Sequence, residues 1–447
     1  MTAYNLAFVP IARPTFDVAF AREKKDAAFT YLKENNAKLF GPSDLVMDAA
    51  GLQESLAELN NKPLDLIVIF QATFADSSMV KTVAEALDIP LFLWAVPEPH
   101  TGKRLRLNSF CGINLAGQAL TRADEWYDYI YADPDDPAVI EKIESLARAG
   151  RVWRLLRSAR LGRVGENPDG FETCLLDAPA LKERFGVDVV QYDLQDDIFR
   201  RVREVDPVQT QSIRDSLNQQ VVNLDDMEPA STQKSLSTYY TLHDLAKEEN
   251  LDGFAVRCWP EFFTELGCAA CGAMSMLTDE MTPCSCEADV NGAITQLMLQ
   301  WLSSSPAFLT DMVSVDPEQD AIVLWHCGLA PLSMADPEKE KRVTIHSNRE
   351  LPLLMEFSLK PGRVTTARLS EASGDYVLVV GSGDIVRGPQ SFSGTSGLLR
   401  FDKPANQIID MILYEGLEHH IAITYGDYLD ELCMLADMLN IPILSLT

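Results

Sequence analysis

The first third of the chain alternates strand-like and helix-like patterns of apolar residues. The run LDLIVIF at 64–70 is almost wholly apolar, as expected for a strand that a parallel sheet buries on both faces. Residues 17–36 place apolar side chains at helical spacing and contain many good helix formers. With further strands expected at YNLAFVPI and IPLFLWAVP, this alternation predicts a Rossmann-like α/β domain over residues 1–163.

A second Rossmann-like α/β domain is predicted over residues 164–335. The segments VDVVQYDL and LDGFAVRC are strand-like, and a helix is expected to start at or near Glu287. Two later strands, AFLTDMVSVD and AIVLWHCG, are expected to carry Asp311 and His326 at their ends. In open α/β sheets this edge is where ligands bind.

The pattern changes again near residue 336. Segments such as DYVLVVGSGDIV alternate apolar and polar residues, and Gly, Pro and Asp separate them. This is typical of an antiparallel sheet with one buried face. The predicted fold is therefore α/β, with two Rossmann-like domains followed by a C-terminal antiparallel β-barrel-like domain over 336–447, which carries His420.

Composition narrows the expected partners to small molecules. The chain has 447 residues, 47% of them apolar, which is enough for two or three domains with full cores. A net charge of −28 repels phosphate backbones, so nucleic acid is not an expected partner.

No apolar run approaches the roughly 20 residues of a bilayer span, and no signal-peptide pattern opens the chain. We therefore expect a cytoplasmic protein without membrane contact. No G-x-G-x-x-G follows the first strand, so no dinucleotide is indicated.

Four cysteines in the second domain allow two interpretations. Cys268, Cys271, Cys284 and Cys286 supply enough thiolates for a tetrahedral zinc site. Against this, only one residue separates the last two, and the first two lie in an apolar segment of helical spacing. Cysteine in such surroundings behaves as a small hydrophobic residue. Buried free thiols are the favoured interpretation, and zinc is the alternative.

Oxygen and nitrogen donors recur where catalytic residues are expected. Glu287, Asp311 and His326 are 24 and 15 residues apart, and His419 and His420 follow near the end of the chain. Two carboxylates with one or two imidazoles suit a hard or borderline divalent ion such as Mn²⁺. Since neighbouring residues of a strand face opposite ways, only one of the two adjacent imidazoles is expected to be a ligand.

At these residues the sequence resembles the L-fucose/L-arabinose isomerase family. Single motifs of this kind are weak, but six of them in the family's order are specific. LWAVPE and NSFCGINLAGQAL also resemble the family's N-terminal domain, so the similarity covers most of the chain. The six motifs are CWPEF (258–262), CEADVNGAIT (286–295), FLTD (308–311), WHCGLAP (325–331), GRVTTARLS (362–370) and EHHIAITYGD (418–427).

The resemblance implies a metal-dependent aldose–ketose isomerase that works through an ene-diol. It implies that Glu287 and Asp311 bind the metal and flank the reacting carbons, with His420 as a further ligand. His326 matches a ligand of the arabinose isomerases. The implied ion is Mn²⁺, or another divalent cation such as Mg²⁺ or Co²⁺. The resemblance also implies a homo-oligomer, trimer or hexamer, in which N-terminal residues reach a neighbour's active site. The candidate substrate contacts are Trp259, Trp325, His419 and Arg13.

The identity of the sugar stays open at this point. A neutral sugar such as L-fucose or L-arabinose is the main expectation from the resemblance. Arginines at every third position from 148 to 163, together with GKRLR (102–106), favour either a solvated basic face or an anion site. An anionic sugar is therefore the alternative. The resemblance implies sulfoquinovose, converted to 6-deoxy-6-sulfofructose, since some members of the family isomerise it. A non-catalytic sugar-binding protein is a more distant alternative.

Overall fold

The structure, a computed structural model, describes residues 3–35 and 37–447, and these form two compact units. One unit ends at Leu155 and also takes in Cys433–Asn440; the other comprises Leu156–Leu432 and Ile441–Thr447. No helix among the described residues combines the length and apolar character that crossing a membrane requires.

The first unit is built on a parallel sheet of five strands in the order β2-β1-β3-β4-β5. This is the order of a doubly wound sheet, and β3 is buried along its whole length, as its continuous apolar run predicts. The elements are β1 (Tyr4–Ile11), α1 (Val18–Glu34), β2 (Ala37–Phe40), α2 (Ala49–Leu59), β3 (Leu66–Gln71), α3 (Ser78–Ala86), β4 (Leu91–Ala95), α4 (Ser109–Arg122), β5 (Tyr127–Tyr131) and α5 (Pro137–Leu156).

The second unit begins with a parallel sheet of four strands in the order β7-β6-β8-β9. Helix α11 is almost wholly buried. Short 3-10 or π-helical turns lie at Glu172–Cys174, Leu194–Phe199, Leu224–Asp226, Phe262–Leu266 and Leu332–Met334. The elements are β6 (Arg160–Val164), α6 (Ala178–Phe185), β7 (Asp188–Tyr192), α7 (Arg200–Glu204), α8 (Pro207–Asn218), α9 (Pro229–Glu249), β8 (Gly253–Val256), α10 (Cys271–Asp279), β9 (Cys284–Cys286) and α11 (Val290–Ser303).

Six antiparallel strands then close into a barrel in the order β14-β15-β16-β11-β10-β17, and β17 pairs back onto β14. Closure leaves no free edge within this ring of strands. The elements are β10 (Phe308–Asp316), β11 (Ala321–His326), β12 (Arg342–Thr344), β13 (Leu354–Ser358), β14 (Gly362–Ser370), β15 (Val377–Val386), β16 (Thr395–Phe401), α12 (Ala405–Glu415), β17 (His420–Tyr425), α13 (Leu429–Met438) and β18 (Ile443–Ser445).

Two parallel sheets and a closed antiparallel barrel confirm the predicted fold class. Strands β10 and β11 were expected in the second α/β domain, but they pair with barrel strands. Asp311 and His326 therefore belong to the barrel in structural terms. The division of the sequence at 163/164 and 335/336 stays a prediction.

The predicted arginine stripe does not lie on one helix. Helix α5 ends at Leu156, so Arg160 and Arg163 belong to strand β6. On the helix, Arg151 and Arg154 contact the buried carboxylate of Asp65 at 3.4 and 2.8 Å. An acid already occupies the middle of the stripe, so these arginines hold the first unit together rather than form an anion site.

A close approach of backbones fixes helix α5 in the first unit. A Cβ atom at Gly150 would lie 1.9 Å from the carbonyl oxygen of Asp65, the residue that Arg151 and Arg154 contact. Contacts this short do not occur, so any larger residue pushes the helix away from β3 and its flanking turn. Glycine at position 150 is therefore a packing requirement.

We expect Gly150→Ala to lower the free energy of unfolding by about 1–3 kcal/mol, because the added methyl overlaps backbone atoms that have no room to move. Gly51→Ala is the matched control, since its Cβ meets nothing closer than 3.5 Å on helix α2. The control should gain about 0.5–1 kcal/mol from better helix propensity. Urea titration of both variants measures the difference, and equal stabilities would contradict this account of Gly150.

Candidate active site

Glu287 lies in a strained turn between the parallel sheet and helix α11. Strand β9 ends at Cys286, and Glu287 and Ala288 both have positive φ, at 57° and 54°. Residues other than glycine seldom adopt positive φ, so hydrogen bonds from neighbouring residues must hold this turn. The amide of Ala288 donates to the carbonyl of Val256 at 3.0 Å. Helix α11 begins at Val290, three residues after Glu287, where the sequence predicted a start at or near Glu287.

The carboxylate of Glu287 contacts two of the predicted substrate residues. The indole N–H of Trp259 donates to Oε1 at 3.1 Å. On the other side, Oε2 lies 3.2 Å from Nε2 of His419 and 3.7 Å from Nε2 of His420. Trp259 and His419 therefore position Glu287 directly, in addition to any contact with a substrate.

His420 presents a nitrogen lone pair to two carboxylates. Its Nδ1 lies 2.9 Å from Oδ2 of Asp289, and because a carboxylate accepts, Nδ1 carries the proton. Nε2 then faces Oε2 of Glu287 at 3.7 Å and Oδ1 of Asp311 at 3.5 Å, and Sγ of Cys286 lies 3.3 Å from it. A histidine oriented by a carboxylate in this way is the usual arrangement of a metal ligand.

Asp311 and His420 are neighbours because their strands pair. The two residues are partners in the register of β10 and β17. Asp311 is the fourth residue of β10, so the expectation that it ends a strand is wrong. Its Oδ1 is buried and has no hydrogen-bond donor among the described residues. A buried carboxylate oxygen without a donor is unfavourable unless a cation or a proton lies beside it. The donor set therefore fits a divalent cation.

Both adjacent histidines approach Glu287, so the expectation that their rings point to opposite faces of a strand is wrong. That only one of them is a ligand stays a prediction. Their ring centroids are 4.1 Å apart. The alternation rule does not apply, because β17 begins at His420 and His419 precedes the strand. The hydroxyl of Thr173 is 3.1 Å from Nδ1 of His419. Burial alone would lower the pKa of His419, but Glu287 and Asp311 raise it above its usual value.

His326 ends strand β11, as predicted, and its nearest partners are thiols. Nε2 lies 2.9 Å from Sγ of Cys286, and Nδ1 lies 3.4 Å from Sγ of Cys327. Burial lowers the pKa of His326, and the charges of Cys327 and Asp311 outweigh it and raise the pKa to about 9. The ligand atoms of His326, Cys286 and His420 lie within 4.8 Å of one another. His326 is therefore next to His420, which in turn faces Glu287 and Asp311.

An ion pair that sequence analysis missed lies beneath the site. Asp289 caps helix α11, accepting from the amide of Gly292 at 2.9 Å, and pairs with Arg368 of β14. Burial raises the pKa of Asp289, but Arg368 and His420 hold it well below the usual range. A Cβ at Gly292 would lie 2.5 Å from Oδ2 of Asp289. Helix-cap spacing marks Asp289, but no local pattern marks its partner.

The four cysteines considered for zinc are all buried, and among the described residues they do not form one group. Cys271 lies with His326 and Cys327, whereas Cys286 lies with His326 and His420. Burial raises the pKa of Cys268 to about 11 and that of Cys284 further still. These two are packed thiols, which agrees with the favoured interpretation.

The two remaining predicted contacts have partners elsewhere. The indole of Trp325 donates to the carbonyl of Ser393 at 2.7 Å, and its ring stacks beside His326. Arg13 lies in the first unit, where its guanidinium pairs with Asp76 and its amide donates to Thr73 at 2.8 Å. A role of Arg13 in a neighbour's active site stays a prediction.

Comparison with known proteins places this chain among sugar isomerases over its whole length. Residues 7–157 match the fucose/sulfoquinovose isomerase N-terminal domain, and residues 355–446 match the L-fucose isomerase C-terminal domain. The sulfoquinovose isomerase of Alkalicoccus urumqiensis is 33% identical over 99% of both chains. Those of Priestia aryabhattai and Clostridium sp. (strain MSTE9) are 32% and 29% identical over 98% and 99% of both chains. The resemblance found in the sequence is confirmed: this chain belongs to the L-fucose isomerase family and is an aldose–ketose isomerase.

Proposed function

We propose that this isomerase converts sulfoquinovose into 6-deoxy-6-sulfofructose. The observation that carries the proposal is the similarity, over 98–99% of both chains, to relatives named sulfoquinovose isomerases. This favours the anionic sugar, the alternative in the sequence analysis, over L-fucose or L-arabinose. The same matches leave the non-catalytic sugar-binding alternative without support. A cytoplasmic location and a trimer or hexamer remain predictions from the sequence and its resemblance.

Glu287, Asp311 and His420 are the residues that would hold a divalent cation, with His326 next to them. The support is the pair of carboxylates around Nε2 of His420 and the buried Oδ1 of Asp311 without a donor. Carboxylate and imidazole ligands suit Mn²⁺, and also Mg²⁺ or Co²⁺. Such a cation, when bound, supplies Lewis-acid stabilisation of negative charge on the substrate oxygens.

The two carboxylates carry the protons in the proposed mechanism. An open-chain aldose becomes a ketose when the proton on C2 moves to C1, and the hydroxyl proton of O2 moves to O1. One carboxylate takes the C2 proton, giving the ene-diol, and returns it to C1. The other exchanges the hydroxyl proton. Acid–base catalysis of this kind contributes about 10²–10⁴-fold to the rate.

The neighbours of Glu287 keep its carboxylate in one position for this transfer. The N–H of Trp259 fixes Oε1, and His419 fixes Oε2 while Thr173 holds the other nitrogen of that ring. The ring of Phe171 packs edge-on against both Trp259 and His419, with centroids 5.4 and 6.0 Å away. Since the positive φ of Glu287 also restricts its backbone, little rearrangement is needed during proton transfer.

A panel of sugars tests the proposed substrate. We expect the purified chain to form ketose from sulfoquinovose with kcat/KM at least about 100-fold above that for L-fucose, L-arabinose and glucose 6-phosphate, as charge recognition at one position allows. Proton NMR of the anomeric signals measures each conversion. A preference for L-fucose or L-arabinose would return the assignment to a neutral sugar.

Replacing either proposed acid should abolish isomerisation while the fold persists. We expect Glu287→Gln and Asp311→Asn each to lower kcat by about 10²–10⁴-fold, because an amide does not carry the proton. Both variants should also bind Mn²⁺ more weakly by calorimetry, and EDTA should remove the activity of the unaltered chain until Mn²⁺ is added. Asp316→Asn, at the far end of the same strand, is the control and should retain activity. Turnover in EDTA would count against the proposed metal.

Asp289 acts as a positioning residue, and its removal should affect stability and metal binding together. We expect Asp289→Asn to lower the free energy of unfolding by about 3 kcal/mol, the lower end for breaking a buried pair, because Arg368 loses its closest partner and keeps only Glu418 at 3.8 Å. Mn²⁺ affinity should fall about 10–100-fold, since His420 loses the acceptor that orients it. The control Asp188→Asn removes a half-exposed partner of Lys182 and should cost less than about 1 kcal/mol. Equal unfolding curves for the two variants would refute the role given to Asp289.

A further inference from the structure

The indole of Trp259 separates the carboxylate of Glu287 from a guanidinium. While its N–H donates to Glu287, the guanidinium carbon of Arg349 lies over its ring, 5.0 Å from the centroid. The same carbon lies 5.0 Å from the centroid of Phe263. One aromatic side chain thus stands between Arg349 and the catalytic acid, and the two aromatic faces hold the guanidinium in place.

Arg349 lacks an acidic partner among the residues that the structure describes. No carboxylate oxygen of these residues lies within the 4.0 Å of an ion pair from its nitrogens, although the chain carries 66 acidic and 38 basic residues. In contrast, Arg257, which immediately precedes the CWPEF motif, contacts Glu261 at 2.8 Å. Among the described residues, the guanidinium of Arg349 contacts a ring nitrogen: its Nη1 lies 3.0 Å from Nε2 of His346. Most of its five N–H groups therefore remain available for an anion.

Two N–H donors from neighbouring residues face the ring of His346, which has one nitrogen lone pair to accept a hydrogen bond. The amide of Asn348 donates to Nδ1 at 3.2 Å, while the Arg349 guanidinium, which only donates, faces Nε2. A neutral imidazole has one nitrogen lone pair and one N–H, so one N–H group here lacks an acceptor. His346 is 8% exposed, so water provides little relief. An anionic oxygen beside Arg349 and His346 would accept from the surplus donors.

We propose that Arg349, with His346 beside it, binds the sulfonate group of the sugar substrate and is the residue that selects an anionic over a neutral sugar. A sulfonate carries one negative charge and three acceptor oxygens, and a guanidinium matches two of them at once. This inference rests on the proposed function, because the sulfonate belongs to the substrate named there. The two aromatic rings and His346 already hold the guanidinium of Arg349, so binding requires little ordering of this side chain.

The test compares two sugars that differ only in the sulfonate: sulfoquinovose and 6-deoxyglucose. The measured quantity is the ratio of their kcat/KM values. Arg349→Gln should lower this ratio about 10- to 100-fold, the usual effect of losing a hydrogen bond between charged groups. Arg349→Lys keeps the charge and should lose a smaller factor. Inorganic sulfate should compete with sulfoquinovose in the unaltered chain and much less in Arg349→Gln.

Two further variants are a control and a test of another possible sulfonate ligand. Arg342→Gln removes an exposed arginine that pairs with Glu340, and its ratio should equal that of the unaltered chain. Arg163 is the rival anion ligand. Its guanidinium contacts the amide oxygens of Asn167 and Gln191, at 3.0 and 3.4 Å, and its Nε is buried with no hydrogen-bond partner in the described part of the chain. Arg163→Gln should leave the ratio unchanged.

The outcomes separate this inference from the proposed function. If the unaltered chain does not isomerise sulfoquinovose, the proposed function fails and the inference falls with it. If sulfoquinovose is a good substrate but Arg349→Gln lowers both sugars equally, the inference alone is overturned. The same holds if the ratio collapses in Arg163→Gln instead, or if sulfate inhibits Arg349→Gln as strongly as the unaltered chain. Should the glutamine variant not fold, the smaller loss in Arg349→Lys and the sulfate competition decide.

Discussion

The buried ion pair of Asp289 and Arg368 is the interaction on which the site depends. Asp289 caps helix α11, Arg368 belongs to barrel strand β14, and the same aspartate holds Nδ1 of His420 on β17. A buried carboxylate requires such partners, because an unpaired charge in this position costs several kcal/mol. Satisfying Asp289 therefore fixes where the helix meets the barrel and which nitrogen of His420 faces Glu287 and Asp311.

The proposed chemistry follows from the meeting of two sheets within one unit. Glu287 comes from the turn after a parallel strand, whereas Asp311 and His420 are opposite each other on paired antiparallel strands. The barrel sets the distance between Asp311 and His420 through backbone pairing, so little of their geometry depends on side-chain freedom. Glu287 depends instead on strain, with a positive φ held by backbone bonds and by Trp259.

Charge explains why an anionic sugar needs a dedicated contact in this molecule. The chain carries 28 excess negative charges, and the proposed catalytic groups are themselves carboxylates. The carboxylates repel a bound sulfonate unless a positively charged side chain lies next to the position of the sulfonate. Under the proposed assignment Arg349 is that cation, since aromatic rings hold its guanidinium and its N–H donors outnumber the acceptors around it.

The sequence alone determined the fold class and named most residues of the proposed site, and the tertiary structure decided how these residues are arranged. Apolar periodicity is a local property, so it predicts the two parallel sheets and the β-rich end, and the ordered motifs name Glu287, Asp311 and His420. Periodicity does not record which strands pair, so the membership of β10 and β11 in the barrel and the inner position of Asp311 were not predictable. The same limit applies to Asp289 with Arg368 and to Arg349 on Trp259, pairs separated by 79 and 90 positions, because only folding brings such residues together.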